Sequence, residues 1–366
     1  MGNWKSSLEG LEVIDLSFWK NKKVFITGHT GFKGAWLTLW LHELGAKITG
    51  YGLPANTDPS FYEALNIKSI CQDIVGDVRD LQFLKEALDS SQAEIVFHLA
   101  AQPLVRKSYE DPVETFSTNV MGTVHLLEAV KNSTHVKACV IVTSDKCYEN
   151  QELPSAFYKE EDRLGGHDPY SSSKACSEIV TSTYIKSFFQ EKSHLGVATA
   201  RAGNVIGGGD FAQDRLIPDI YRAIIEKKDL RIRFPDSIRP WQHVLVSLSG
   251  YLKLAEQLFH HPKTYSGPYN FGPTDKEVLT VREMVDLMLK EISQDLVISY
   301  ESQKVRHEAK LLKLDTSKAT SVLGWRQVWT MKVAIEQTAL WYKAFLDNQD
   351  IKRISLDQIR EFEKRL

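Results

Sequence analysis

Short apolar runs alternate with longer amphipathic or apolar stretches from residue 24 to residue 201. Val24-Phe25-Ile26-Thr27 reads as a buried strand, and Ala35–Leu44 as a helix with Gly45 at its stop position. Ala46–Tyr51, Ile70–Val75, Glu94–Gln102, Val140–Val142 and Gly196–Arg201 read as further strands. Leu81–Leu88, Pro112–Val130 and Tyr170–Lys186 read as helices between them. Strands apolar on both faces belong to a sheet covered on both sides. This alternation predicts an α/β protein with a doubly wound parallel sheet. After Arg201 the rhythm changes, with a loop-like Gly203–Asp210 and then helices mixed with short strands. The expected division is a larger unit over 19–205, rejoined near 238–262, and a smaller one over 206–237 and 263–345. In 346–366, Ile351, Ile359, Phe362 and Leu366 recur roughly at helical spacing and predict a surface or interface helix.

The first strand runs straight into Gly28-His29-Thr30-Gly31-Phe32-Lys33-Gly34 and then into a helix. Strand, glycine turn and helix form the context a dinucleotide fingerprint requires, and with it the sheet is of Rossmann type. Glycines let the backbone approach a pyrophosphate, and the helix N-terminus supplies unpaired N–H groups and a positive dipole end. The spacing is G-x-x-G-x-x-G rather than G-x-G-x-x-G. Gly28, Thr30, Gly31, Phe32, Lys33 and Gly34 are the expected contacts. After the second strand, Gly52-Leu53-Pro54 offers neither the acid that holds a ribose hydroxyl nor an arginine for a 2′-phosphate. NAD and NADP therefore stay open on motif grounds. Asp77, with Val78 beside it, faces an adenine edge or caps the Leu81–Leu88 helix. Leu99, Ala100 and Ala101 end the fourth strand with small side chains that let a cofactor lie against the backbone. Asn119 sits mid-helix, where propensity disfavours it, and either bonds a neighbouring loop or faces solvent. His98, inside an apolar run, reads as a core histidine, and no metal is expected.

The run Val140-Ile141-Val142 ends abruptly in Thr143-Ser144-Asp145-Lys146. Ligands of open α/β sheets lie at such carboxyl ends. Tyr170 and Lys174 lie one helical turn apart, on one face. A nearby cation favours phenolate, so Lys174 is expected to lower the Tyr170 pKa and make it a general base.

The net charge of −2 leaves no basic footprint for nucleic acid. Hydrophobic content of 43% describes a folded chain. Four scattered cysteines (Cys71, Cys139, Cys147, Cys176), without a C-x-x-C pair, read as reduced thiols in a reducing compartment. No apolar run is long enough to span a bilayer and no signal-peptide core is present, so a cytoplasmic protein is expected. Met1-Gly2-Asn3-Trp4-Lys5-Ser6 fits a myristoylation pattern and is read as a chance match.

Phe18-Trp19, His29–Gly34, Ala101–Arg106, Thr143–Tyr148, Arg201–Asp210, Asp214–Asp219 and Arg239–Val244 form seven blocks in one order. His307-Glu308-Ala309 and Leu323-Gly324-Trp325 extend them. Together they resemble the CDP-glucose 4,6-dehydratase family of the extended short-chain dehydrogenase/reductase superfamily. The resemblance implies a dinucleotide-binding larger unit, a nucleotide-sugar-binding smaller one, and NAD as cofactor. It implies a redox-neutral dehydration of CDP-glucose: oxidation at C4, elimination across C5–C6, and hydride return to C6. Such reactions serve deoxysugar synthesis for surface polysaccharide, including lipopolysaccharide O-antigen. By position, Tyr170 takes the 4-hydroxyl proton beside Lys174, Ser144 bonds the 4-oxygen, and Asp145 is the acid for the 6-hydroxyl. Lys146 stands where many relatives carry a glutamate, and is either the C5 base or a helper of Asp145. Thr143 falls among the cofactor contacts. Gln102, Arg106, Asn204, Arg215, Leu216, Arg239 and His307 fall on the substrate side, the arginines as fork-shaped donors for a pyrophosphate. Cys147 is read as structural. The segment 149–158 departs from the family in lacking a tryptophan-rich stretch, which bears on substrate identity. A homodimer through a four-helix bundle is implied, built from Pro112–Val130 and Tyr170–Lys186. A nucleotide-sugar 4-epimerase, a dehydratase of another nucleotide sugar and a dinucleotide-sensing binding protein are the alternatives; Asp145-Lys146 favours dehydration, and the intact Tyr170 and Lys174 favour an enzyme.

Overall fold

The computed structural model describes residues 14–153, 156–273, 278–300 and 311–366. Seven strands form one sheet: β1 (Lys23–Thr27), β2 (Lys47–Gly52), β3 (Gln72–Val75), β4 (Ile95–His98), β5 (Ala138–Val142), β6 (Gly196–Ala202) and β7 (Gly267–Phe271). Their order is β7-β6-β5-β4-β1-β2-β3. Every neighbouring pair is parallel. Successive side chains of a strand point to opposite faces, and each face has its own core. Val24, Ile26, Val140 and Ala198 enter one cluster; Phe25, Val96, Cys139 and Val197 enter the other. The doubly wound sheet expected from the pattern is therefore present. Its strand order reverses between β1 and β4, and that is where a crevice opens at the carboxyl ends.

Helices α1 (Phe32–Glu43), α2 (Leu81–Ser91), α3 (Gly122–Asn132) and α4 (Pro169–Tyr184) cover the sheet. Helix α1 starts three residues earlier than expected, with Gly31 as its N-cap, so Lys33 and Gly34 lie in its first turn. Ile70 belongs to a 3-10 turn, and β3 begins only at Gln72. The long helix expected from Pro112 is Pro112–Phe116 and α3 joined by a π turn, Ser117–Met121, which holds Asn119. Asp168 caps α4 by accepting from the Ser171 N–H (2.9 Å), which fixes where Tyr170 enters the helix.

Beyond β6 the chain builds a smaller unit from α5 (Leu216–Glu226) and two short strand pairs, Leu230–Ile232 with Ile298–Tyr300 and Ile238–Arg239 with Leu279–Thr280. Helix α6 (Val244–His260) then returns to pack on β5 and β6. The segment expected wholly in the smaller unit also supplies β7 to the main sheet, because Gly267–Phe271 pairs with Ala198–Ala202. Helix α7 (Val281–Ile292) opens with a capping box from Thr280 and Glu283. Helices α8 (Met331–Leu346) and α9 (Ile351–Glu363) close the chain. Helix α9 docks on α1: Phe362 meets the Trp40 ring edge-on, and Trp40 Nε1 donates to Glu363 (2.8 Å). No helix among the described residues is long and apolar enough to cross a membrane.

Candidate active site

One cavity of about 930 Å³ lies across the carboxyl ends of the strands, between the sheet and the smaller unit. The glycine loop lines one end of it. Gly28 has φ +75°, and a Cβ there would stand 2.6 Å from the Ala100 backbone nitrogen. A Cβ at Gly34 would collide with the Gly28 carbonyl. Only glycine lets this turn, the β4 end and the first turn of α1 lie so close. Thr30 Oγ1 donates to the Leu53 carbonyl (2.9 Å), tying the loop to the end of β2. Lys33 points from the first turn of α1 into the cavity wall, and burial with Arg215 and Lys174 nearby brings its ammonium down to about 7. Trp36 Nε1 donates to the Gly208 carbonyl (2.9 Å), which brings the Gly203–Asp210 segment over α1.

Strand β5 leads into the 3-10 turn Asp145–Cys147, with Ser144 as its cap: its Oγ accepts from Lys146 N–H (3.2 Å). The same Oγ donates to Asp145 Oδ1 (2.9 Å), and Ser144 lies near enough to the Tyr170 phenol to pull its pKa down. Phenol, hydroxyl and carboxyl thus face one cavity, from α4 and the β5 turn. Asp145 is 4% exposed, and burial raises its pKa, with Lys146 and the Ser144 bond pulling the other way. This is the environment a carboxylic acid needs to keep its proton towards neutral pH. Lys146 is half-buried beside it.

The expected effect of Lys174 on Tyr170 needs correction. Burial pushes Tyr170 up to about 12, with Ser144 opposing and Asp145 adding to the rise. Lys174 is itself brought down to about 8 by burial, and its Nζ donates to the Val142 carbonyl (3.3 Å). Being a helical turn apart put both side chains in one cavity, but desolvation is the largest influence on each in the protein alone.

The remaining wall gathers residues far apart in the chain. Leu99, Ala100, Ala101, Thr143, Asn204, Arg106, Arg215, Leu216 and Arg239 all line it. Arg215 is braced by Asp210 (2.9 Å), and Arg106 by Asp214 (2.9 Å). Arg231, in the short strand Leu230–Ile232, and Arg233, just past its end, also line the wall and were not foreseen. Among the described residues, eight basic ones (Lys33, Arg106, Lys146, Lys174, Arg215, Arg231, Arg233, Arg239) face five acidic ones (Glu110, Asp145, Asp210, Asp214, Asp219) in the lining. A chain of net charge −2 has therefore concentrated cations in its cavity, as an anionic ligand requires.

Four expected contacts are not in the wall. Asp77 is held by Arg79 (2.6 Å) and caps no helix; the N-cap of α2 is Asp80. Val78 is buried beneath, its carbonyl bonded to the ring of His125 (3.0 Å). Asn119 Nδ2 donates to the Gln102 carbonyl (3.0 Å) and Ser173 Oγ (2.8 Å), and its Oδ1 accepts from Gln102 N–H (2.8 Å). Gln102 spends its own amide on Leu104 and Thr115. These two residues join the β4 end to α4 from behind the cavity. His307 lies outside the described residues. His98 is a core residue as expected, bonded to Thr27 (2.7 Å) and brought down to about 3 by burial.

Fold and site together define an extended short-chain dehydrogenase/reductase. The family profile described as GDP-mannose 4,6 dehydratase matches residues 25–338, and the chain belongs to that family. It is 48% identical to the CDP-glucose 4,6-dehydratase of Salmonella typhimurium over 354 residues, covering 96% of this chain and 98% of that one. Among solved structures, a dTDP-glucose 4,6-dehydratase double mutant from Streptomyces venezuelae with NAD bound superposes with a TM-score of 0.76, at 21% identity, over 89% of this chain and 98% of that one. The epimerase Mth375 of Methanothermobacter thermautotrophicus gives 0.79, at 21% identity, over 92% and 96%. These two likenesses speak for the fold.

Proposed function

We infer that this enzyme dehydrates CDP-glucose to CDP-4-keto-6-deoxyglucose and water, with NAD as its resident cofactor. The observation that carries the reading is the buried Asp145, bonded to Ser144 in the cavity that also holds Tyr170, in a chain 48% identical to a CDP-glucose 4,6-dehydratase. The cradle that a Cβ at Gly28 or Gly34 would fill, at the start of α1, fits a dinucleotide diphosphate. When bound, NAD supplies a reversible two-electron sink, so the overall reaction needs no external oxidant.

Tyr170 takes the proton of the 4-hydroxyl, and Ser144 holds the 4-oxygen. A further positive charge beside the phenol brings it into the working range, and an oxidised nicotinamide has that sign. The 4-ketone acidifies the C5 proton. Asp145, whose protonated form burial favours, gives its proton to the departing 6-hydroxyl, so that leaving group and acid meet within a water-poor site. Lys146 is the basic group left on the same turn for the C5 proton. Arg215, Arg231, Arg233 and Arg239, with Asn204 and Leu216, receive the CDP diphosphate and its flanks.

Incubation with CDP-glucose, with and without added NAD, and mass analysis of the product tests the reading. Loss of one water is expected. An unchanged mass with an altered sugar would establish epimerisation instead, and reaction only with another nucleotide sugar would overturn the substrate.

We also propose a homodimer through Pro112–Asn132 and through α4 with the π turn Ile185–Phe189 that continues it, supported by the exposed apolar residues Val113, Met121, Ile179 and Phe188. Four free cysteines support a reducing, cytoplasmic setting.

A further inference from the structure

Behind the cavity lies a buried ion pair that none of the steps above uses. Glu178 Oε2 and Arg201 Nη2 are 2.7 Å apart, and both side chains are 3% exposed. Buried pairs are often no more stabilising than apolar residues of the same volume, so their contacts decide their meaning. The other Glu178 oxygen accepts the Thr143 hydroxyl, and Thr199 donates to Oε2 (2.7 Å). Arg201 Nη1 donates to the Tyr148 hydroxyl (2.6 Å) and the Glu160 carbonyl (3.1 Å), and the guanidinium stands 4.9 Å from the Tyr148 ring centroid. Tyr148 donates in turn to Asn270 Oδ1 (2.8 Å), at the end region of β7.

Thr143 and Tyr148 bracket the turn that carries Ser144, Asp145 and Lys146. One ion pair thus holds both ends of that turn. Glu178 also continues the face of α4 that bears Tyr170 and Lys174, one further turn along. The helix that presents the phenol is therefore the helix that anchors the turn. Thr143 N–H still bonds the Ala200 carbonyl (3.0 Å), as a continuation of the sheet. The turn's own backbone bonds, Cys147 to Ser144 (3.3 Å) and Tyr148 to Asp145 (3.4 Å), are long, and its far end is tied to the 163–165 segment by Gly165 N–H on the Cys147 carbonyl (2.9 Å) and Glu149 N–H on the Arg163 carbonyl (2.9 Å).

We propose that Glu178 and Arg201 are positioning residues that set the Ser144–Lys146 turn against Tyr170, and that loosening them impairs elimination more than oxidation at C4. The proposal rests on the dehydratase reading for its chemistry. Tyr148→Phe removes one hydroxyl and keeps the ring on Arg201. It is expected to lower kcat by about 10- to 100-fold, the scale of a small misplacement, with KM for CDP-glucose little changed. Reduced nicotinamide should accumulate, because oxidation continues while elimination stalls. Thr143→Val should act in the same direction, and Thr143→Ser, which restores the hydroxyl, should recover most of the loss. Hydrogen exchange of the backbone amides should rise at 145–148 while β5 and β6 keep their protection. An unchanged kcat in both variants, or equal loss in both steps with exchange rising throughout the sheet, would overturn the assignment. Exchange needs no substrate, so unaltered exchange at 145–148 counts against the clamp by itself. Failure of the wild-type protein to release water counts only against the dehydratase reading.

Discussion

Asp145 is the residue where sequence and environment have to be read together. A carboxylate at the end of β5 would be ionised in water; burial raises its pKa, despite Lys146 next to it and the Ser144 hydrogen bond. Asp145→Asn keeps the shape and removes the proton donor. Elimination should slow by roughly 10²–10⁴-fold, the span of general acid–base catalysis, while the burst of reduced nicotinamide from C4 oxidation persists in stopped-flow absorbance. Loss of the burst itself would remove Asp145 from the acid role. Ser144, Asp145, Tyr170 and Lys174 were legible because they lie in short motifs whose spacing directs them to one place. Arg231 and Arg233 were not, since only the folded position of a three-residue strand turns them to the cavity. The direction of the Tyr170 shift was not legible either: spacing reports the cation, while desolvation depends on everything packed around the phenol.

At the level of elements, the π turn Ser117–Met121 accounts for an asparagine that helix propensity disfavours. Asn119 spends its amide on Gln102 and Ser173, joining the β4 end to α4. Alternation of apolar and polar runs sufficed for six strands of the sheet, because strands buried on both faces are distinctive. It failed for β7, where Gly267-Pro268-Tyr269-Asn270-Phe271 carries a proline and an asparagine. Its partner, 69 residues back along the chain, is visible only in the fold. The outward faces of α3 and α4 carry the dimer proposal. Met121 is 45% and Ile179 53% exposed in the single chain. Sedimentation velocity should give the mass of two chains, and Met121→Glu combined with Ile179→Glu should give one, since charges on a buried apolar face cost several kcal/mol. A monomeric wild-type protein, or a dimeric double variant, would dismiss the bundle.

Across the whole molecule, two cores on opposite faces of one sheet hold the crevice open at its carboxyl edge, and their buried histidines link stability to pH. Burial brings His98 and His243 from 6.5 down to about 3, with Lys174 adding to the effect at His98. Their folded pKa is depressed, so their contribution is fully present above about pH 6.5 and is lost as pH falls towards 3. Each adds a slope of about 1.4 kcal/mol per pH unit in that window. Raised carboxyls such as Asp145 and Glu160 work in the opposite sense. The urea midpoint of His98→Gln should therefore fall less steeply between pH 6.5 and 3 than that of the wild-type protein; equal slopes would mean that His98 is not held neutral. By itself the sequence determined the sheet class, the glycine cradle, the Tyr170–Lys174 pair and the acid–amine step at Asp145-Lys146, because each depends on neighbours within a few residues. Only the tertiary structure decided which charges the cavity collects, how burial shifts Tyr170 and Lys174, and that Glu178 and Arg201 hold both ends of the β5 turn. Those outcomes depend on water exclusion and on contacts between segments distant along the chain, and local spacing carries no record of either.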